Sequence, residues 1–159
     1  MKETIKLGII GLGGRSMGLL DLVFLNRNDV EVAAVCDLYA DRREAAANRV
    51  EQMSGKRPFA TQRYEEIMTM AGIDAVFIGT SWAAHIDIAI AAMEAGKYAA
   101  CEVGGAYSLR SCWRLVEAYE RTNVPCMMME NCCYGRDEMM ALNMAKLGVF
   151  GEIVHCSGG

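Results

Sequence analysis

Gly11-Leu12-Gly13-Gly14-Arg15-Ser16 directly follows the apolar run Ile5-Lys6-Leu7-Gly8-Ile9-Ile10, and Asp37 ends the next apolar run, Val32-Ala33-Ala34-Val35-Cys36. A glycine-rich turn between a strand and a helix, with an acid at the tip of the second strand, is the pattern that holds a dinucleotide. Gly11 permits the tight turn, and Gly13 lets the backbone approach a pyrophosphate with no Cβ in the way. Gly14 and Arg15 open the helix, whose N–H groups and dipole favour negative charge. Asp37 lies twenty-four residues beyond Gly13, near the separation of about 20 expected of an acid that accepts the ribose hydroxyls. Ser16 stands where the pattern has a third glycine. That position wants a small residue for close helix–strand packing, and serine is small enough.

Ligands of an open α/β sheet bind outside the carboxyl ends of its strands. Asp37, Thr80, Ser81, Glu102, Glu130 and Asn131 all fall at such ends. His85 belongs to the first turn of the helix after the fourth strand, where the dipole disfavours a charged imidazolium. It faces the cofactor cleft or helps to cap that helix. Trp82 covers the cofactor with its flat ring or packs against the next loop. His155 alternates along a terminal strand and reads as structural. Met127-Met128-Met129 reads as core filler.

The elements that must position these groups alternate from end to end. Apolar runs of strand length cover residues 5–10, 31–36, 58–60, 75–78, 98–101 and 125–129. Their unbroken apolar character is that of strands covered on both faces, as in a parallel sheet. Asp41 and Glu44 suggest a capping box for a helix over 41–53. Ser108 can cap a helix over 109–121 that Asn123 and Pro125 end. Gly72 and Gly96 stand where glycines follow helices. The expected fold class is therefore α/β, a doubly wound parallel sheet with strand order 3-2-1-4-5-6. Residues 1–131 form its dinucleotide-binding domain. Residues 136–147 read as a further helix ended by Gly148, and 151–156 as a strand. We take 132–159 as the crossover helix and first strand of a second α/β domain that the sequence does not complete.

Composition narrows the partners. The 159 residues, 53% hydrophobic and 23% charged, suffice for one core burying ~70% of the unfolded surface. A net charge of −4 with no basic run argues against nucleic acid and anionic membranes. No apolar stretch reaches the ~18 residues of a membrane span. Met1-Lys2-Glu3-Thr4 enters a strand at once, so a cytoplasmic chain without a signal peptide is expected. Seven cysteines with no C-x-x-C, and two histidines, fit neither a disulfide framework nor a metal site. Cys36, Cys101 and Cys126 read as small buried hydrophobes, and the Cys132-Cys133 pair as free thiols.

Residues 7–15, Asp37, Gly79-Thr80-Ser81 with His85, Glu102, and residues 142–153 together resemble the Gfo/Idh/MocA oxidoreductases. The resemblance covers the whole chain and implies an NAD-binding Rossmann domain of a sugar- or cyclitol-acting enzyme, expected to be a homo-oligomer when complete. Many members carry Glu-Lys-Pro after strand five, the lysine being catalytic; here the segment is Glu102-Val103-Gly104. Cys101-Glu102-Val103, Met129-Glu130-Asn131-Cys132-Cys133-Tyr134, Leu142-Asn143-Met144 and Gly148-Val149-Phe150-Gly151-Glu152 are similar to the NAD-dependent α-N-acetylgalactosaminidase branch. That branch implies an NAD that is not consumed. Transient oxidation of the sugar at C3 acidifies the C2–H, elimination expels the aglycone, water adds, and the returned hydride restores the sugar. The resemblance makes Glu102 and Tyr134 the catalytic candidates. It sets Glu102 and Asn131 beside Gly11, Gly13, Gly14, Arg15, Ser16, Asp37, Thr80, Ser81, Trp82 and His85 as cofactor residues. Three readings remain: a net oxidoreductase of a small carbohydrate, a redox-neutral glycosidase, and a nucleotide-sensing module without chemistry.

Overall fold

The computed structural model describes residues 4–157. Six parallel strands form one sheet: β1 (Ile5–Ile10), β2 (Val30–Cys36), β3 (Phe59–Thr61), β4 (Ala75–Ile78), β5 (Tyr98–Cys101) and β6 (Cys126–Met128). Their order is 3-2-1-4-5-6, as expected. Five helices return the chain between them: α1 (Gly14–Leu22), α2 (Ala40–Ser54), α3 (Tyr64–Thr69), α4 (Trp82–Glu94) and α5 (Leu109–Thr122).

The period of two along a strand divides the core into two layers. Leu7, Ile9, Val35 and Phe77 face one way and pack with Leu20 of α1 and Ala46, Ala47 and Val50 of α2. Ile10, Val76 and Ile78 face the other way and pack with Ile67 of α3, Ala89, Ala92 and Met93 of α4, and Ala118 of α5. Each central strand is apolar on both faces because helices cover both. The spacing Ile88, Ala89, Ala92, Met93 puts one face of α4 on the sheet. Phe24, in the turn between α1 and β2, meets Phe77 with ring centroids 5.3 Å apart.

Several helix ends follow the sequence. The Ser108 hydroxyl accepts the Ser111 N–H at 3.1 Å, and Asn123 closes α5 in the left-handed conformation at φ 54°. The expected capping box of α2 does not form: Tyr39 is the N-cap, with no side-chain cap bond. Asp41 instead lies within the first turn, and Glu44 turns outward to bond Arg57 at 2.7 Å. Gly72 does not follow its helix directly, since α3 ends at Thr69 and is closed by Met70. Strand β3 begins at Phe59, beyond Pro58, which has no N–H to give a ladder. Met127 and Met128 are exposed, correcting their reading as core, because β6 is the edge of the sheet; only Met129 packs inward.

Lys97 is the unexpected core residue, only 4% exposed. Its ammonium donates to the carbonyls of Met70 at 2.7 Å and Ile73 at 3.1 Å. It thereby adds a charged donor to two carbonyls of the turn between α3 and β4.

A second compact unit begins at Glu130, after Met129. It contains a short helical turn, Cys132–Tyr134, and α6 (Arg136–Lys146), whose first turn carries Asp137 and Glu138 and whose last carries Lys146. The expected strand over 151–156 is absent: residues 151–157 are irregular and exposed. An extended segment becomes a strand only when a neighbour takes up its N–H and C=O groups, and no described residue pairs with it. His155 therefore sits on exposed coil.

Replacing Lys97 with methionine keeps the length of the side chain and removes its donors. The Met70 and Ile73 carbonyls then stay buried without their charged partner, at a cost of about 1–3 kcal/mol. Urea denaturation should show that loss as a lower midpoint with an unchanged slope.

Candidate functional site

A cavity of about 500 Å³ opens at the carboxyl ends of β1, β2 and β4. Gly11 and Gly13 from the first turn, Asp37 and Leu38 after β2, and Gly79, Thr80 and Ser81 after β4 line it. Tyr39, Arg42, Gln62, Tyr64, Ala84 and Ile88 complete its wall.

Gly11 carries the constraint that shapes the turn. Its N–H still donates to Cys36 O at 2.8 Å, as if the strand continued. Its φ is +88°, and a Cβ there would lie 2.6 Å from the Gly79 carbonyl oxygen. Only glycine combines that dihedral with that approach. Gly13 and Gly14 differ, because a Cβ at either would meet nothing within 4 Å. Protein packing does not require glycine at those two positions.

Ser16 is 1% exposed, and its hydroxyl donates to Gly79 O at 3.4 Å. A Cβ on residue 79 would collide with that hydroxyl. The close helix–strand contact normally secured by a third glycine is obtained here by removing the Cβ from the opposite backbone.

Asp37 is held from behind. The Leu12 N–H donates to its Oδ2 at 2.7 Å and the Tyr39 N–H to its Oδ1 at 3.0 Å. The glycine-rich turn and the tip of β2 are thus tied by one carboxylate, whose remaining lone pairs are free to accept hydroxyls. Arg43 donates to the carbonyls of Asp37 at 2.7 Å and Leu38 at 3.1 Å, bracing the same turn. Arg42 Nη1 stands 4.0 Å from Asp37 Oδ2.

Arg15 and Glu102 join the start of α1 to the end of β5 by an ion pair at 3.1 Å, with Glu102 the more buried partner. The Val103 N–H adds a bond to the other Glu102 oxygen at 3.3 Å. Trp82 lies with its indole against Gly104, where a Cβ would collide with it. Of its two readings, this is the contact with the next loop. His85 is buried and does not line the cavity. Its Nε2 lies 3.1 Å from Thr80 O, so the proton sits on Nε2 and the ring holds the Thr80 turn from beneath. Its Nδ1 has no hydrogen-bond partner among the described residues.

Asn131 and Tyr134 belong to the second unit. Asn131 precedes the short helical turn that contains Tyr134, which is 68% exposed. Glu130 accepts the Cys132 N–H at 2.6 Å, and that bond lowers its pKa, while a side-chain bond to the Glu130 carboxylate and its charge raise that of the Cys132 thiol. Sequence reasoning did not reach Tyr39, Gln62 or Tyr64. They lie on the turn after β2 and beyond β3, and only the pairing of β3 beside β2 brings them to the cavity.

Among the described residues no three His, Cys, Asp or Glu side chains gather to hold a metal ion, and no helix is long and apolar enough to cross a membrane.

Residues 5–130 match the family described as "Oxidoreductase family, NAD-binding Rossmann fold" (GFO_IDH_MocA). A glycosyl hydrolase family 109 protein of Streptomyces filamentosus is 40% identical over 99% of this chain and 32% of its own. The chain thus spans about a third of the length of the curated relatives it matches. Scyllo-inositol dehydrogenase from Lactobacillus casei, solved with bound NAD(H) and scyllo-inositol, superposes with a TM-score of 0.85. Its identity is 18%, over 94% of this chain and 43% of that one. An NAD-binding protein from Listeria innocua superposes with a TM-score of 0.79 at 28% identity, over 94% of this chain and 42% of that one.

Cys36 lines the cavity, yet burial pushes its thiol up to about 12, helped by the neighbouring Asp37 charge. Burial also raises Cys101 to about 12. Neither supplies a thiolate at neutral pH. Iodoacetamide at about pH 8 should therefore label the exposed Cys112, Cys132, Cys133 and Cys156 and spare Cys36 and Cys101 until the chain is unfolded. Peptide mass spectrometry reads the outcome.

Proposed function

The chain belongs to the Gfo/Idh/MocA oxidoreductase family and carries its NAD-binding Rossmann fold, and we propose that it serves an enzyme that transforms a carbohydrate without consuming NAD. The observation that carries the cofactor side is the doubly anchored Asp37 carboxylate on the rim of a cavity floored by the glycine-rich turn. Gly13 and Gly14 leave space that the protein itself does not fill, which fits the close approach of a diphosphate. In this reading Gly11, Gly13, Gly14 and Arg15 cradle the phosphates at the start of α1, and Ser16 holds the turn against Gly79. Asp37 accepts the ribose hydroxyls, while Thr80 and Ser81 form the opposite rim and Trp82 packs against the loop beyond β5. His85 positions the Thr80 backbone. Glu102, steadied by Arg15, lies toward the reacting end.

NAD, when bound, supplies reversible hydride transfer to and from a carbon of the substrate. The chain's own contribution is to bind, orient and shield. Val103 occupies the place where many relatives have a lysine, and a valine neither moves a proton nor places a charge. The redox-neutral reading is supported by that departure together with the likeness to glycosyl hydrolase family 109. A ketone at C3 of a sugar makes the C2–H acidic enough for an ordinary enzymatic base, so no strong pair of carboxylates is needed to cleave the glycoside. Glu102, Asn131 and Tyr134 enter as candidate substrate-side groups through the sequence likeness.

The chain should bind NAD and turn nothing over by itself. Gly13→Val should leave thermal stability nearly unchanged, within about 1 kcal/mol, while cutting NAD affinity by at least about tenfold, close to 1.4 kcal/mol. Calorimetry measures both. In the full-length protein, a nitrophenyl α-N-acetylgalactosaminide turned over in heavy water should release sugar carrying deuterium at C2 with no net NADH. Stoichiometric NADH with an oxidised sugar would establish net dehydrogenation instead.

A further inference from the structure

We infer that the exposed apolar face of α5 docks against the same face of a second copy of this chain, the two helices running antiparallel about a two-fold axis. α5 gives the core only Ala118, with Leu115 partly buried beside it. Leu109, Trp113, Val116 and Tyr119 follow one another at helical spacing and all are exposed, Trp113 by 58%. Beside them a groove of about 300 Å³ is lined by Leu115, Val116, Tyr119, Pro125 and Cys126. Met127 and Met128 lie exposed on β6, the edge strand next to it. Aromatic side chains bury about 150–250 Å² each. Trp113 and Tyr119, with their aliphatic neighbours, thus approach the ~800 Å² per partner of a stable pair. An apolar surface of that extent marks an interaction site.

The charges around the stripe choose its occupant. On the flank toward α4, Arg114 pairs with Asp87 and Arg121 with Glu94. Arg110, Glu117 and Glu120 are exposed and have no such partner among the described residues. Arg110 stands at the start of the helix and the two carboxylates near its end. Reversed against itself, the helix therefore meets its own complement. Arg110 of one copy falls beside Glu117 and Glu120 of the other, and symmetry makes the pairing twice. The same register sets Trp113 of each copy against Val116 of the other, and Leu109 against Tyr119. This self-complementarity is what an isologous two-fold contact requires. An anionic membrane would be repelled by the two carboxylates. A strand added to β6 would find three residues behind Pro125, too short an edge to hold it. The face shares no residue with the cavity under the glycine-rich turn, so association and cofactor binding use separate surfaces.

Sedimentation equilibrium of this chain between about 1 µM and 1 mM tests the contact, with thermal melts to confirm that each variant is folded. The wild-type chain should pass reversibly from monomer to dimer across that range. Trp113→Ser removes the exposed anchor and should weaken the dimer by about thirtyfold. Arg110→Glu should weaken it by about tenfold. Arg110→Glu/Glu117→Arg/Glu120→Arg, which exchanges the signs, should restore it. A wild-type chain that stays monomeric throughout overturns the inference and leaves the face to a different protein or to other residues of this chain. A dimer that Trp113→Ser does not weaken is joined elsewhere, and overturns it too. An Arg110→Glu variant without effect, or a loss that the exchanged variant does not repair, overturns the antiparallel register.

Discussion

Two backbones meet where the winding of the sheet reverses, and the rest of the molecule is arranged around that contact. β1 and β4 lie side by side, yet the chain leaves β1 for one face and β4 for the other. The turns that follow them must part at once, with Gly11 and Gly79 almost touching. No side chain fits between them. The crevice opened by this divergence is the cavity, and the start of α1 points its N–H groups toward it. Asp37 then fastens the first turn to the neighbouring strand tip, so the two keep a fixed spacing across the crevice.

What could be read along the chain is what local chemistry specifies. Apolar runs such as Ala75–Ile78, polar strand ends and the glycine turn are contiguous signals, and they led directly to the parallel sheet and to Gly11, Gly13, Asp37, Thr80 and Ser81. Ser108 and Asn123 were legible because a cap acts within one helical turn. Tyr39, Gln62 and Tyr64 were not, because nothing near them in sequence says that β3 pairs beside β2. The capping box failed for a related reason: Glu44 found a stronger partner in Arg57, thirteen residues away. Residues 151–156 form no strand among the described residues, because alternation describes what a segment is able to pair with, and pairing itself needs a neighbour.

The functional argument divides along the same line. The cofactor side is written in backbone geometry, where a positive φ, an anchored carboxylate and an unfilled approach all speak to one ligand. On the substrate side the clearest signal is a substitution. At the end of β5, Glu102 is retained and joined to Arg15, while Val103 has no proton to exchange. A domain can keep its cofactor grip while the chemistry it supports changes from net oxidation to elimination and return.

The fit between Ser16 and Gly79 has a consequence for how such a turn drifts over generations. The hydroxyl at 16 occupies the volume that a methyl at 79 would need, so the two positions cannot be sampled independently. A lineage moving from Ser16/Gly79 toward the commoner glycine at the helix start can enlarge residue 79 only after residue 16 has shrunk, and even then the Phe77 ring must give way. The reverse order passes through a collision in the floor of the cavity. One order of the two changes must first move the serine hydroxyl, and the other does not.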